Sequence, residues 1–129
     1  MGGSFDPPTI SHMQIAAEIY NMNKFDEVWV IPCGERPDKP HISASKHRLA
    51  MTKQAVKEFM PKNFPIKVSD IEVRNGKSIP TYYLMKQLEQ ENQGTAFHFI
   101  AGSDLIPSLH LWDEGQKLID EINFIIIER

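Results

Sequence analysis

The sequence predicts an α/β protein with three layers, built on a doubly wound parallel sheet. Three observations carry that expectation. Apolar residues alternate between helical spacing and short continuous or alternating β-type runs. The β-type runs are separated by helical stretches long enough for crossovers, which is the pattern of a parallel sheet. The chain also opens with GGSFDPPTISH at residues 2–12, where two glycines and a proline turn lead directly into a helical pattern.

The elements follow in order. Ile15, Ile19 and Met22 recur at helical spacing and set a first helix at about residues 10–22. Residues 25–33, FDEVWVIPC, are β-rich and stop at Pro32 and Gly34, which predicts a strand with Trp29 in the core. Residues 34–45 hold Pro37 and Pro40 among charges and form a loop. Leu49, Thr52, Val56 and Phe59 mark a second helix that ends before Pro61. Residues 66–73, IKVSDIEV, alternate as a strand, and RNGKS at 74–78 is a polar loop. Pro80 opens a third helix carrying Leu84 and Leu88, which ends at Gly94. Residues 97–101 form a short buried strand, followed at once by Gly102, Ser103 and Asp104. A short helix, Trp112, another helix and a final apolar strand at 124–127 complete the chain. Ligands of such sheets bind outside the carboxyl ends of the strands. That singles out the loops at 2–9, 34–41, 74–81 and 102–112.

Composition narrows the function classes. The 129 residues suit a single domain spanning 1–129, with 41% hydrophobic and 9% aromatic residues. The net charge of −3 is spread along the chain, so no nucleic-acid footprint is expected. A single cysteine, Cys33, excludes an internal disulfide, and no Cys/His spacing suggests structural zinc. His41, His47, His98 and His110 read as surface or packing residues. No apolar run approaches the ~20 residues of a membrane span, and Met1 is followed by a turn in place of a signal-peptide core. The expectation is an intracellular, cytoplasmic protein, with nuclear residence left open and no membrane partner.

The opening segment has a chemical logic. Glycines at 2 and 3 let backbone N–H groups approach an anion. Pro7 and Pro8 stiffen the turn, Thr9 or Ser11 can cap the helix, and His12 falls in its first turn. Glycine and proline clusters usually mark only a turn. In this order, however, the residues resemble the G-[ST]-F-[DN]-P and [TH]-x-x-H motif of the HxGH nucleotidyltransferases. Thr9 stands at that motif's first histidine and Ser11 at its glycine.

Further matches resemble the nicotinate/nicotinamide mononucleotide adenylyltransferases within that superfamily. They are GERPDKP at 34–40 with SKHRLAM at 45–51, PTYY at 80–83, GSDLIPSLHLW at 102–112, and the closing FIIIER. Asp38 stands where bacterial members usually carry histidine. The resemblance implies a Rossmann-like nucleotidyltransferase fold that is incomplete at both ends. It lacks the first strand and the C-terminal signature of the I-S-[ST]-x-x-R type. The chain then reads as a fragment, or as a naturally shortened protein that has lost activity. An empty central strand position would leave backbone groups unpaired and predicts poor stability in either case.

The resemblance also implies a reaction. The phosphate of a mononucleotide attacks the α-phosphorus of ATP in line, pyrophosphate leaves, and no protein nucleophile is needed. By the same resemblance, His12 is catalytic and Thr9 assists it. Gly3, Ser4, Phe5, His12, Arg48, Gly102 and Asp104 bind ATP. Ser4, Phe5, Lys39, Thr81, Leu111 and Trp112 bind the mononucleotide. Asp104 would accept from a ribose hydroxyl and Trp112 would stack on the pyridine ring. Mg2+ would arrive with ATP and need no dedicated protein metal site. The partners are ATP and nicotinate or nicotinamide mononucleotide, with homo-oligomerisation left open. Bacterial-like features favour the acid. The alternatives are another HxGH-type transferase (a pantetheine-phosphate adenylyltransferase or a cytidylyltransferase) and an inactive truncated nucleotide-binding module.

Overall fold

Gly2 and Gly3, expected in a loop, form a two-residue strand, β1 (Gly2–Gly3). The reason lies next door. Strand β2 (Val28–Pro32) offers an edge whose N–H groups need acceptors. Met1 O accepts from Ile31 N at 2.8 Å, and Gly3 O accepts from Cys33 N at 2.9 Å. A computed structural model describes residues 1–128, and the chain divides after Ser78 into two compact units.

In the first unit, β1, β2 and β3 (Ile66–Val68) form a parallel sheet in that order. Helix α1 (Ile10–Asn21) buries Met13, Ala16 and Ile19, while Met22, expected on the inner stripe, is 48% exposed. Helix α2 (Ser45–Phe59) packs on α1, β2 and β3. Its buried face is Ser45, Arg48, Thr52 and Ala55, rotated from the expected Leu49–Thr52–Val56–Phe59 stripe. Phe5, Val28, Val30, Ile31, Cys33 and Ile71 complete the core. Trp29 is only half-buried, and the Lys67 ammonium lies 4.2 Å from the centre of its ring.

The expected strand at 66–73 breaks after Val68. Helix α3 (Ile71–Asn75) follows, with Ile71 and Glu72 buried. The apolar positions change parity there, from 66 and 68 to 71 and 73, which no single pleated face accommodates. Arg74 closes the turn by pairing with Asp70 at 2.8 Å, four residues earlier.

The second unit holds helix α4 (Thr81–Glu91), which starts after Pro80 and buries Leu84, Met85 and Leu88. Strand β4 (His98–Gly102) pairs in parallel with β5 (Asn123–Ile127) over all five residues. Between them lie a 3-10 helix (Ser103–Leu111) and α5 (Gly115–Glu121). Ala101, Leu109, Leu118 and Ile122 close this core. Tyr82 Oη donates to Glu121 at 3.0 Å and Lys86 pairs with the same carboxylate at 3.1 Å, tying α4 to α5. The class is the expected α/β one with parallel strands. The strands of the first unit form a three-stranded sheet and those of the second a two-stranded one.

Candidate functional site

His12 is the third residue of α1, and its ring is locked to the helix start. Thr9 is the N-cap, in extended conformation, and accepts from His12 N at 3.4 Å. In return, Thr9 N donates to His12 Nδ1 at 2.9 Å. A capping box normally has Glu or Gln in that position. Here an imidazole takes it, so Nδ1 is an acceptor and the proton of the neutral ring is assigned to Nε2. Phe5 packs edge-on against the imidazole, with ring centres 4.8 Å apart. The result is a half-buried histidine, oriented from two sides, with an N–H donor beside the positive end of α1.

The loop beneath it is anchored with equal care. Phe5 is 3% exposed and has φ +51°, an unfavourable region for an aromatic residue. On one side of it, Ser4 O accepts from Arg48 Nη1 at 3.0 Å. On the other, Asp6 Oδ2 accepts from Ser43 N at 2.8 Å. That backbone hydrogen bond holds the Asp6 carboxyl below the usual carboxylate range, with Arg48 a lesser contributor. Glu35 is lowered the same way by Ser45 N, which it accepts at 2.7 Å.

Arg48, which the resemblance assigns to ATP binding, lies inside the first unit. It is fully buried. Besides Ser4 O, its guanidinium donates to Ser43 O at 2.8 Å, Cys33 O at 2.8 Å and Gly34 O at 3.0 Å. The reason is its register: it shares the inward face of α2 with Ser45, Thr52 and Ala55.

Lys39 is exposed in the loop after β2. Its neighbour Arg36, which the sequence reading passed over, forms a two-bond pair with Asp38 at 2.9 and 2.6 Å. Arg36 holds the Asp38 carboxyl down to about 2. The only advance signal was their spacing on either side of Pro37.

In the second unit, Gly102 ends β4 and precedes the 3-10 helix, and Asp104 is exposed in the first turn of that helix. Leu111, at its end, is 76% exposed, unusual for leucine. Trp112 follows, half-buried, edge-on to Phe99 at 6.4 Å between ring centres. Thr81 is the first residue of α4. Among the described residues, no three His, Cys, Asp or Glu side chains come together as a metal site.

The sequence model of the Cytidylyltransferase-like family matches residues 1–129. The chain belongs to that family. Among family relatives, a probable nicotinate-nucleotide adenylyltransferase of Halalkalibacterium halodurans is 36% identical over 132 residues, covering 100% of this chain and 62% of the relative. The corresponding protein of Oceanobacillus iheyensis is 34% identical over 131 residues, with 100% and 66% covered. A solved structure, the Plasmodium falciparum nicotinic acid mononucleotide adenylyltransferase complexed with NaAD, matches with a TM-score of 0.87 and 37% identity. That match covers 99% of this chain and 62% of the other. The chain therefore spans about two thirds of the length of these relatives. The Rossmann-like nucleotidyltransferase fold is shared with them.

Proposed function

We propose that this chain transfers the adenylyl group of ATP to nicotinate mononucleotide, giving the nicotinate dinucleotide and pyrophosphate. The observation that carries the reading is His12, whose Nδ1 accepts from Thr9 N in the capping box, which assigns the ring proton to Nε2 at the start of α1. A donor there suits charge that grows on phosphoryl oxygens during in-line attack. Support also comes from Gly2, where an added Cβ would find its nearest neighbour 4.0 Å away. The protein's own packing does not demand glycine there, whereas a phosphate approaching the backbone would.

In this reading a mononucleotide phosphate oxygen forms the new bond to the α-phosphorus while the bond to the bridging oxygen breaks and pyrophosphate departs. His12 stabilises the charge. Thr9 orients His12, and Gly3, Ser4 and Phe5 present backbone groups to the nucleotide. Lys39 offers an exposed cation to phosphate. Gly102 and Asp104 serve a ribose, while Thr81, Leu111 and Trp112 form an apolar seat for the pyridine ring. The exposure of Leu111 favours that role, since a solvent-facing leucine is poorly explained by packing. Mg2+ would travel on ATP oxygens and water, neutralising phosphate charge. The setting is cytoplasmic.

The test is direct. The chain is incubated with ATP, Mg2+ and either nicotinate or nicotinamide mononucleotide, and the dinucleotide is quantified by chromatography. Product is expected, with the acid preferred, and His12→Ala should lower turnover by ~10²–10³. Absence of product with both mononucleotides would refute the activity of this chain.

A further inference from the structure

We infer that Arg48 and Asp6 are positioning residues that grip the loop on either side of Phe5 and thereby set the orientation of His12. The functional consequence rests on the adenylyltransferase reading; the mechanical claim does not. Phe5 sits in left-handed conformation, out of solvent, with its ring edge on the His12 imidazole. Such a conformation persists only where neighbouring contacts impose it. Arg48 Nη1 holds the carbonyl of Ser4, immediately before Phe5, and Ser43 N holds the carboxylate of Asp6, immediately after it. Both anchors lead to one place, the lead-in to α2, because Arg48 Nε also binds Ser43 O at 2.8 Å.

The remaining donors of Arg48 reach Cys33 O and Gly34 O at the end of β2. One guanidinium thus joins the loop, the strand end and the helix start. A planar fork of five donors can serve carbonyls in several directions at once, which a lysine ammonium cannot reproduce. The coupling therefore runs from Arg48 and Asp6 to Phe5, and from Phe5 to the imidazole.

The experiment uses the full chain with 15N-labelled histidine. Imidazole nitrogen correlations report the tautomer of His12, and titration with ATP and Mg2+ reports the site. The variants are Arg48→Lys, Asp6→Ala and Asp6→Asn, with Thr52→Val as control. Thr52 Oγ1 donates to Arg48 O at 2.7 Å on the same buried face of α2, one turn further along the helix. Arg48→Lys and Asp6→Ala should lose the single Nε2–H pattern and weaken ATP binding about tenfold or more. Asp6→Asn, which keeps an acceptor oxygen, should restore both. Thr52→Val should lower the unfolding midpoint and leave the His12 pattern intact. Unchanged His12 signals and ATP affinity in Asp6→Ala would overturn the inference, even if Arg48→Lys fails to fold. So would a Thr52→Val variant that disturbs His12 equally. Altered His12 signals in a chain that binds no ATP would support the positioning role and remove the adenylyltransferase reading instead.

Discussion

Replacing Gly34 by alanine should destabilise the first unit sharply, and the cost can be worked from its surroundings. Gly34 lies just beyond β2, and a Cβ built there would overlap the Lys77 carbonyl carbon. It would also stand 2.5 Å from Lys77 O and 2.7 Å from Glu72 O. All three are backbone atoms, so no side chain can swing aside. Relief requires moving residues 33–35 away from 76–78. Those segments are held by Glu35 N to Gly76 O at 3.2 Å and Ser78 N to Glu35 O at 3.0 Å. Overpacking costs ~1–3 kcal/mol, and a strained or lost hydrogen bond adds ~1 kcal/mol. The total is about 2–4 kcal/mol, a large part of the ~5–15 kcal/mol that stabilises ordinary domains. Urea unfolding gives the measurement. With a slope of ~1–3 kcal/mol per molar, the midpoint should fall by about 1 M or more. A midpoint within ~0.2 M of the parent, at unchanged slope, would refute the close approach on which the estimate depends.

Two other outcomes are expected. Trp112→Ala should weaken mononucleotide binding by about 1–3 kcal/mol, the range for an aromatic platform, with turnover at saturation much less affected; an unmoved Michaelis constant would return Trp112 to a packing role. Acid should destabilise the first unit through Asp6, Glu35 and Asp38, whose carboxyls are all lowered in the folded chain. A depressed folded value stabilises above the ordinary carboxylate range and is lost as pH falls through it. For Asp38 that window runs from 3.8 to about 2. Thermal unfolding followed from pH 6 downwards should show the fall, and Glu35→Gln should flatten it.

The sequence was most informative where local chemistry and burial agree. The first helix was placed with Thr9 or Ser11 as its cap, which Thr9 proves to be, and the helix after Pro80 was bounded by that proline, because caps and ring constraints act within a few residues. Strands β4 and β5 were legible as apolar runs. Other features depended on distant partners. The two-residue β1 exists because β2 needs acceptors, and nothing local in a glycine pair announces that. The helix at 71–75 was hidden in an alternating run whose change of parity was the one available sign. The burial of Arg48 was not legible for a general reason: arginine is exposed by default. Only the carbonyls of Ser4, Cys33, Gly34 and Ser43, brought together by folding, make its burial tolerable. At the candidate site, the place of His12 in the first turn of α1 was readable, but its tautomer required the Thr9 geometry.

The chain has two tryptophans, and the fold gives one to each unit. Trp29 lies under the Lys67 ammonium in the first, and Trp112 abuts Phe99 in the second. Trp29→Phe and Trp112→Phe therefore yield single-fluorophore proteins in which the emission of each reports one half of the molecule. Nucleotide titrations and melting curves can be followed separately for the half that carries His12 and the half that carries Asp104. Overlaid traces would mean that the halves respond as one cooperative system, and displaced traces would give the order in which they respond.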